Sequence, residues 1–456
     1  MTTVEGKSLE GEVKKLAITI RLLSELLDLR TGNLFFYGPS RHLVFKGEHG
    51  TIVAKSYGSV DRYQAELRNL DIFFRIIQAR SELFREVTGS DAAYIGIPKI
   101  DPTLDMSRLP IEVQNGTRIS IFAAVPGQLL YDRILGRMSK FEDYLLAAMQ
   151  IARIQQEGKI YRDKFNLKDV VRDREAGSED TTYFLNRFKD VFLRQLITYG
   201  GVHIPETVQE EMLLDWKILV AENLVRAHRD GYTGYYFDGN PRNHILSFDG
   251  SSIVSFDFED RVYAPALLGL ASLLSFGLCP HLSQEEQKKI LDRFLLEIEF
   301  VNALKTGARD KASRIAEYIK LREQCCNSDL SEKNSSNFYR FLGDDDEGIG
   351  KEFRDGFIRT WPYALLDRNS AWLGHKARFR ALAERLIGNE EVRFVMEDPV
   401  KQYAIEQRQH LEQILQTLEQ QSQAVHIKNG RYAQDAAYRL RNRFQELAAH
   451  SYFSQN

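Results

Sequence analysis

Apolar positions recur at helical spacing over residues 8–30, where Leu16, Ile18, Ile20, Leu22, Leu23, Leu26 and Leu27 fill much of one side and no Pro or Gly follows Gly11. The pattern then changes. NLFFYG, HLVFKGE and TIVAKSY are short, rich in β-branched and aromatic residues, and separated by GPSR and HG. They predict a three-strand meander over roughly 33–57. Leu67, Leu70, Phe73, Phe74 and Ile77 return to helical spacing at about 60–80. Two further strands are predicted at 93–100 (AYIGIPKI) and 117–124 (TRISIFAA), with a loop containing DPTLD between them.

After VPG at 125–127 the pattern is mainly helical, clearest at 144–158 and 208–228. One strand–loop–strand unit, 233–260, interrupts it, with Asp249-Gly250 as a hairpin turn signal. From about 262 onward nearly everything reads as helix, broken by the polar stretch 327–350, which reads as a loop. A last helix at about 397–421 carries Leu411, Ile414, Leu415 and Leu418 on one face, too short a pattern for a coiled coil. The order implies an α+β protein: a small β-rich lobe on a large α-rich lobe, with a cleft between them as the place for a ligand. The boundaries read as an N-terminal helical segment 1–30, a β-rich lobe 31–125, a helical lobe 126–300 holding the hairpin, and a helical extension 301–456.

Composition narrows the function classes. The chain has 456 residues, 43% hydrophobic and 27% charged, enough for a large core. Lys plus Arg number 61 against 64 Asp plus Glu, so no overall charge argues for nucleic acid. The three cysteines (Cys279, Cys325, Cys326) form no Cys-x-x-Cys pair and read as thiols of a reducing cytoplasm. The N-terminus lacks the apolar core of a signal peptide. The longest near-apolar run, 264–279, is interrupted and shorter than a membrane span. The expectation is a cytoplasmic protein without a membrane span.

The chemistry concentrates in the hairpin. Asp238-Gly239-Asn240-Pro241-Arg242-Asn243 sets an Asp and an Asn five residues apart before an apolar strand. Fourteen residues past Asn243 stands Asp257, in Ser255-Phe256-Asp257-Phe258-Glu259-Asp260. Phosphoryl transfer needs an oriented acceptor hydroxyl and neutralised phosphate charge. A carboxylate on a short loop suits the first task. An amide oxygen and a second carboxylate are hard ligands suited to Mg²⁺. Alone, DGNPRN is also a good ordinary turn; FDFED at this distance favours the chemical reading.

These segments resemble the catalytic and metal-binding loops of the protein-kinase-like superfamily, more closely those of aminoglycoside phosphotransferases and related small-molecule kinases. The resemblance covers about residues 30–300. It implies a two-lobed kinase-like fold using ATP and Mg²⁺, with Asp238 as catalytic residue and Asn243 and Asp257 as metal ligands. Val53-Ala54-Lys55 resembles the kinase Val-Ala-x-Lys segment in compressed form. It implies that Lys55 meets the α- and β-phosphates and that Glu66, on the next helix, is its ionic partner. The phosphate loop would be Tyr37–His42, with Ser40 and Arg41 near phosphate oxygens. The hinge holding adenine through its backbone would be Ala123–Val125.

Several departures bear on function. The phosphate loop has one Gly, Tyr236 stands where the family usually has His, and no Ala-Pro-Glu follows FDFED. His228-Arg229-Asp230 spells a kinase tripeptide, but Tyr235 stands five residues on and the tripeptide closes a predicted helix. It reads as a helix C-terminus, where cationic residues suit the dipole. The leading expectation is a kinase for a hydroxyl of a small-molecule acceptor. The alternatives are a pseudokinase-like nucleotide-binding scaffold and a kinase-fold nucleotidyltransferase. The C-terminal helices are candidates for a larger acceptor site, a protein partner or a homodimer. The acidic run Asp344–Glu347 reads as a solvated loop.

Overall fold

The computed structural model describes residues 33–35, 42–47, 50–57, 60–99, 118–122, 125–136, 138–161, 181–229, 233–258, 263–275, 282–324, 351–388 and 431–449, with Val13, Ala17 and parts of 401–421. The β-branched and aromatic runs pair as expected. β1 (Asn33–Phe35), β2 (His42–Gly47), β3 (Gly50–Tyr57) and β4 (Arg118–Ile121) form a four-stranded antiparallel sheet in chain order. The register sets Lys55 of β3 opposite His42 and Ser120. Helix α1 (Val60–Thr88) follows β3 and buries Leu70, Phe73 and Ile76. The expected N-terminal helix and the polar stretch 327–350 lie outside the described residues, apart from Val13 and Ala17.

The predicted strand at 93–100 does not form over its described part. Its backbone is bonded elsewhere. Gln150 bonds Gly96 on both sides, donating to its carbonyl at 2.6 Å and accepting from its N–H at 3.3 Å. Arg153 donates to the Tyr94 carbonyl at 2.7 Å, and the Ser255 N–H donates to the Gly96 carbonyl at 2.9 Å. Groups bonded to side chains are not available to a ladder. The segment instead straps the hairpin to the helix that supplies Gln150 and Arg153.

The expected strand–loop–strand unit forms, and two short strands outside it, unmarked in the hydrophobic pattern, complete two small sheets. β5 (Gly127–Leu129) pairs with β7 (His244–Ser247), which pairs with β8 (Ile253–Ser255). β6 (Thr233–Tyr235) pairs with β9 (Tyr263–Pro265). Strands of three residues are too short to show an alternating pattern. The β7–β8 turn is wider than a two-residue loop. Gly250 takes the left-handed conformation (φ 72°), and Asp249 accepts from Ser247 Oγ at 2.5 Å and the Ser251 N–H at 3.0 Å.

The remainder is helical: α2 (Leu130–Leu135), α3 (Phe141–Ile160), α4 (Thr181–Arg187), α5 (Arg194–Gly200), α6 (Glu206–Trp216), α7 (Glu222–Arg229), α8 (Leu267–Leu274), α9 (Gln284–Thr306), α10 (Arg309–Gln324), α11 (Lys351–Leu386) and α12 (Arg431–Ala449). π turns at Phe188–Leu193 and Lys217–Ala221 join α4 to α5 and α6 to α7. The predicted helix 208–228 is therefore one rod with a bulge. Trp216 stacks on Phe188 at 4.1 Å where the two rods meet. Leu411, Ile414, Leu415 and Leu418 are all buried, as their shared face implied. α12 is tied to α6 by Arg439 and Asp215, 2.6 Å apart. Among the described residues no helix is long and apolar enough to cross a membrane.

α11 reaches the centre of the molecule by backbone contact. A Cβ on Gly374 would stand 1.7 Å from the Val191 carbonyl oxygen, inside the first π turn. Backbone there cannot step aside as a flexible side chain would. Gly374→Ala is expected to lower stability by about 1–3 kcal/mol, read as a shifted urea-unfolding midpoint. An unchanged midpoint would mean that α11 and the π turn are not in this contact.

Candidate functional site

Lys55 and Glu66 come together although neither touches water; both side chains are 0% exposed. β3 ends one turn before α1 begins, so a lysine on the strand faces a glutamate on the second helical turn, eleven residues on. Lys55 Nζ lies 2.6 Å from Glu66 Oε2. Glu66 also accepts from the Tyr57 hydroxyl at 2.8 Å and from the Phe258 N–H at 3.2 Å. Lys55 Nζ bonds in addition to Asp257 Oδ1, more than two hundred residues away in sequence. One ammonium thus bridges two carboxylates.

Asp257 is held in an unusual conformation. Its φ of 77° makes it the one non-glycine residue at positive φ among those described. Such a position costs about 1–2 kcal/mol and persists only when the surroundings fix it. On one side the Phe256 N–H donates to the Asn243 carbonyl at 3.0 Å. On the other, Phe258 is fully buried between Phe73 (5.1 Å) and Phe237 (5.3 Å), and its carbonyl accepts from Asn69 at 2.5 Å. The Asp side chain is swung away from its strand and onto Lys55.

The preceding loop is a 3₁₀ turn at Pro241–Asn243, capped by Asn240, whose side chain accepts from the Arg242 N–H at 3.1 Å. Pro at its first position has the fixed φ such a start requires. Asn243 donates its side-chain NH₂ to the Asp238 carbonyl at 2.9 Å. That leaves the amide oxygen as the group suited to a cation. Gly239 allows the loop to press on α8, because a Cβ there would stand 2.2 Å from the Gly269 carbonyl oxygen.

Asp238, Asn243 and Asp257 line one cavity of about 180 Å³. Two oxygen donors, one just before the first strand of the hairpin and one just after the second, fit Mg²⁺, which is commonly held by one or two protein groups while phosphates and water complete its shell. Among the described residues no group of three His, Cys, Asp or Glu gathers as a ready-made metal centre. The adenine-side expectations fare differently. Val125 exchanges both backbone hydrogen bonds with Thr51, each at 2.9 Å. Its N–H is therefore engaged by Thr51. Ser40, Arg41 and Ala123 lie outside the described residues, as does Glu259.

Sequence reasoning missed the opposite wall. It comprises Arg187 at the end of α4, Arg242 in the loop, and Arg368, Trp372, His375 and Phe379 on α11. Arg242 stood inside the recognised motif. Arg368 stood in LLDRNSAWL, where charges interrupt an apolar run, the one signal that α11 turns polar groups inward. Tyr236 acquires a role here: its hydroxyl accepts from Arg368 Nη1 at 2.7 Å, and the guanidinium lies 4.9 Å from its ring centroid. His228-Arg229-Asp230 is not a catalytic loop, since α7 runs through Arg229.

No family model and no curated protein matches the sequence. Solved structures do. The chain is similar to choline kinase LicA from Streptococcus pneumoniae, at 11% identity over 87% of this chain and 98% of that one, with a TM-score of 0.38. It is similar to an ethanolamine kinase from Plasmodium vivax, at 12% identity over 89% and 95%, TM-score 0.38. A type VIII aminoglycoside-3'-phosphotransferase aligns at 12% identity over 63% and 98%, TM-score 0.33.

His244, directly after Asn243, is fully buried with Nδ1 2.8 Å from Ser255 Oγ. Burial away from water pushes its pKa down to about 3 from an ordinary 6.5. Between those values the unfolded chain binds a proton that the folded chain refuses. Stability is thus held above pH 6.5 and falls as pH drops toward 3, by about 1.4 kcal/mol per unit. Urea-unfolding free energies at pH 7 and pH 5 should differ by about 2 kcal/mol less in His244→Asn than in the parent chain. Equal pH dependence in both would show that His244 titrates normally when folded.

Proposed function

We propose that this chain is an ATP- and Mg²⁺-dependent phosphotransferase acting on a hydroxyl of a small molecule. One observation carries the reading: Asp238, Asn243 and Asp257 open onto a single cavity, and the last of them is docked on the buried Lys55–Glu66 pair. The expected division of labour follows. The sheet with α1, within 31–125, grips the nucleotide. The hairpin and helices within 126–300 hold the reacting groups, in a two-lobed arrangement.

Asp238 orients the acceptor hydroxyl and takes its proton as the new P–O bond forms and ADP leaves. Asn243 and Asp257 present oxygens to the metal, which neutralises phosphate charge when bound. Lys55 reaches the α- and β-phosphates, kept at the right height by Glu66. Ser40, Arg41 and the backbone of Ala123 and Val125 are the proposed contacts for phosphate and adenine. Little covalent chemistry is asked of the protein, so positioning and charge supply most of the catalysis.

Mg²⁺-dependent ATP consumption by the full chain, with a panel of hydroxylated acceptors, tests the reading. Asp238→Asn is expected to lower turnover by about 10²–10⁴-fold while the chain stays folded by circular dichroism. Asp257→Ala should abolish it and with it the Mg²⁺ dependence. Undiminished turnover in Asp257→Ala would remove the metal assignment. Mass spectrometry of the product distinguishes an added phosphate from an added AMP, and the latter would replace phosphoryl by nucleotidyl transfer.

A further inference from the structure

Tyr236 stands two residues before Asp238, and α11 takes hold of it. Arg368 Nη1 donates to the Tyr236 hydroxyl at 2.7 Å, and the guanidinium lies 4.9 Å from the ring centroid. Tyr236 is 8% exposed and Arg368 6%, so the bond is shielded from competing water. A hydrogen bond from a charged donor is roughly twice as strong as one between neutral groups.

Arg368 is itself firmly mounted. Its neighbour Asp367 is buried, 3.1 Å from Arg187 Nη1 at the end of α4 and 3.7 Å from Arg368 Nε. On its other side Asn369 donates to the Gln421 side chain at 2.9 Å. Less than two turns further along α11, Gly374 meets the Val191 carbonyl in the π turn that follows α4. The helix therefore presents Arg368 from a fixed position.

The rest of the loop has separate supports. Asn243 donates to the Asp238 carbonyl at 2.9 Å, Gly239 presses on the Gly269 carbonyl, and Arg242 donates to the Tyr131 hydroxyl at 3.1 Å. These act at or after Asp238. Arg368 acts before it, on the residue that follows β6. A bolt that merely fastened α11 to the core could sit anywhere along the helix. This one meets the loop beside the proposed proton acceptor, and Arg368 lines the same cavity as Asp238.

Resting on the kinase reading above, we infer that Arg368 is a positioning residue: through the Tyr236 hydroxyl it holds Asp238 where an acceptor hydroxyl can give up its proton. It acts through Asp238 and not on the nucleotide. A reacting group displaced by about 1 Å can lose about 10²-fold in rate, so such support matters. α11 lies beyond residue 300, outside the segment that resembles small-molecule kinases, so the C-terminal extension becomes part of the catalytic lobe.

ADP formation from MgATP by the full chain tests this, with water alone and with choline, glycerol or glucose added. Tyr236→Phe keeps the ring and removes the hydroxyl, whereas Arg368→Gln removes the charge and the fork. Each should lower kcat by about 10- to 100-fold and leave the KM for MgATP within about twofold. The double variant should be no slower than the slower single one, since both break the same bond. In an Asp238→Asn background neither substitution should slow the residual reaction by more than about twofold, an outcome that loosened packing alone would not give. Circular dichroism and melting temperatures check the fold, and Tyr236→Phe carries the test if Arg368→Gln does not fold. An unchanged kcat in Tyr236→Phe overturns the inference, and ADP formed by the parent chain then leaves the kinase reading standing. A loss that multiplies with that of Asp238→Asn overturns it too. No ADP formed by the parent chain with any of these acceptors removes the kinase reading, and the role given to Arg368 falls with it.

Discussion

A carboxylate or an ammonium taken wholly out of water is tolerable only when a partner of opposite charge is held firmly against it. Glu66 has that partner in Lys55 from β3, and it also accepts from the Tyr57 hydroxyl on the same strand and from the Phe258 N–H at the end of the hairpin. Through these bonds one side chain fixes the sheet, the helix α1 and the hairpin in a common frame. Removing one member of such a buried group usually costs about 3–5 kcal/mol, because the others are left uncompensated. The position of Asp257, and so of the cavity's floor, depends on this node. The left-handed backbone at Asp257 is maintained because Phe256 and Phe258 are anchored on both sides of it.

Sequence carried the node well, for a physical reason. Lys55 and Glu66 sit in elements with strong periodicity, a β-branched strand and a long amphipathic helix, and the link between them is short. Asp238, Asn243 and Asp257 are likewise close in sequence, and a hairpin is local enough for spacing to imply proximity. What the pattern could not carry was long-range pairing. The short strands β5 and β9 exist only because partners elsewhere in the chain complete them. The segment at 93–100 has the composition of a strand, yet Gln150, Arg153 and Ser255 take its backbone groups first. Propensity was overridden by tertiary hydrogen bonding.

The far wall of the cavity was illegible for a related reason. The α11 residues that line it, from Arg368 on, lie more than a hundred residues beyond the hairpin, and no local rule says which helix will cover it. Close packing at Gly374 shows how it gets there. Once it does, Arg368 reaches Tyr236, one of the residues at which this chain departs from the family pattern it resembles. A histidine would not offer a phenol oxygen to that guanidinium. The departure in the loop and the charge on α11 therefore form one feature seen from two sides.

Charges around the cavity are managed by pairing. At the floor, Lys55 is shared between Glu66 and Asp257, so the node keeps an excess negative charge at its accessible end, where Asp257 is 17% exposed. A divalent cation beside Asp257 and Asn243 would meet that excess directly. Among the α4 and α11 residues, Arg187 stands 3.1 Å from Asp367. Burial opposes the charge on Arg187, but Asp367, with Tyr183, Tyr236 and Asp238 adding less, more than offsets it and holds its pKa above the ordinary value. Asp238 lines the same cavity and adds to the field that stabilises the buried Arg187 charge, so the proposed catalytic group is also part of the electrostatic support for the α4 end.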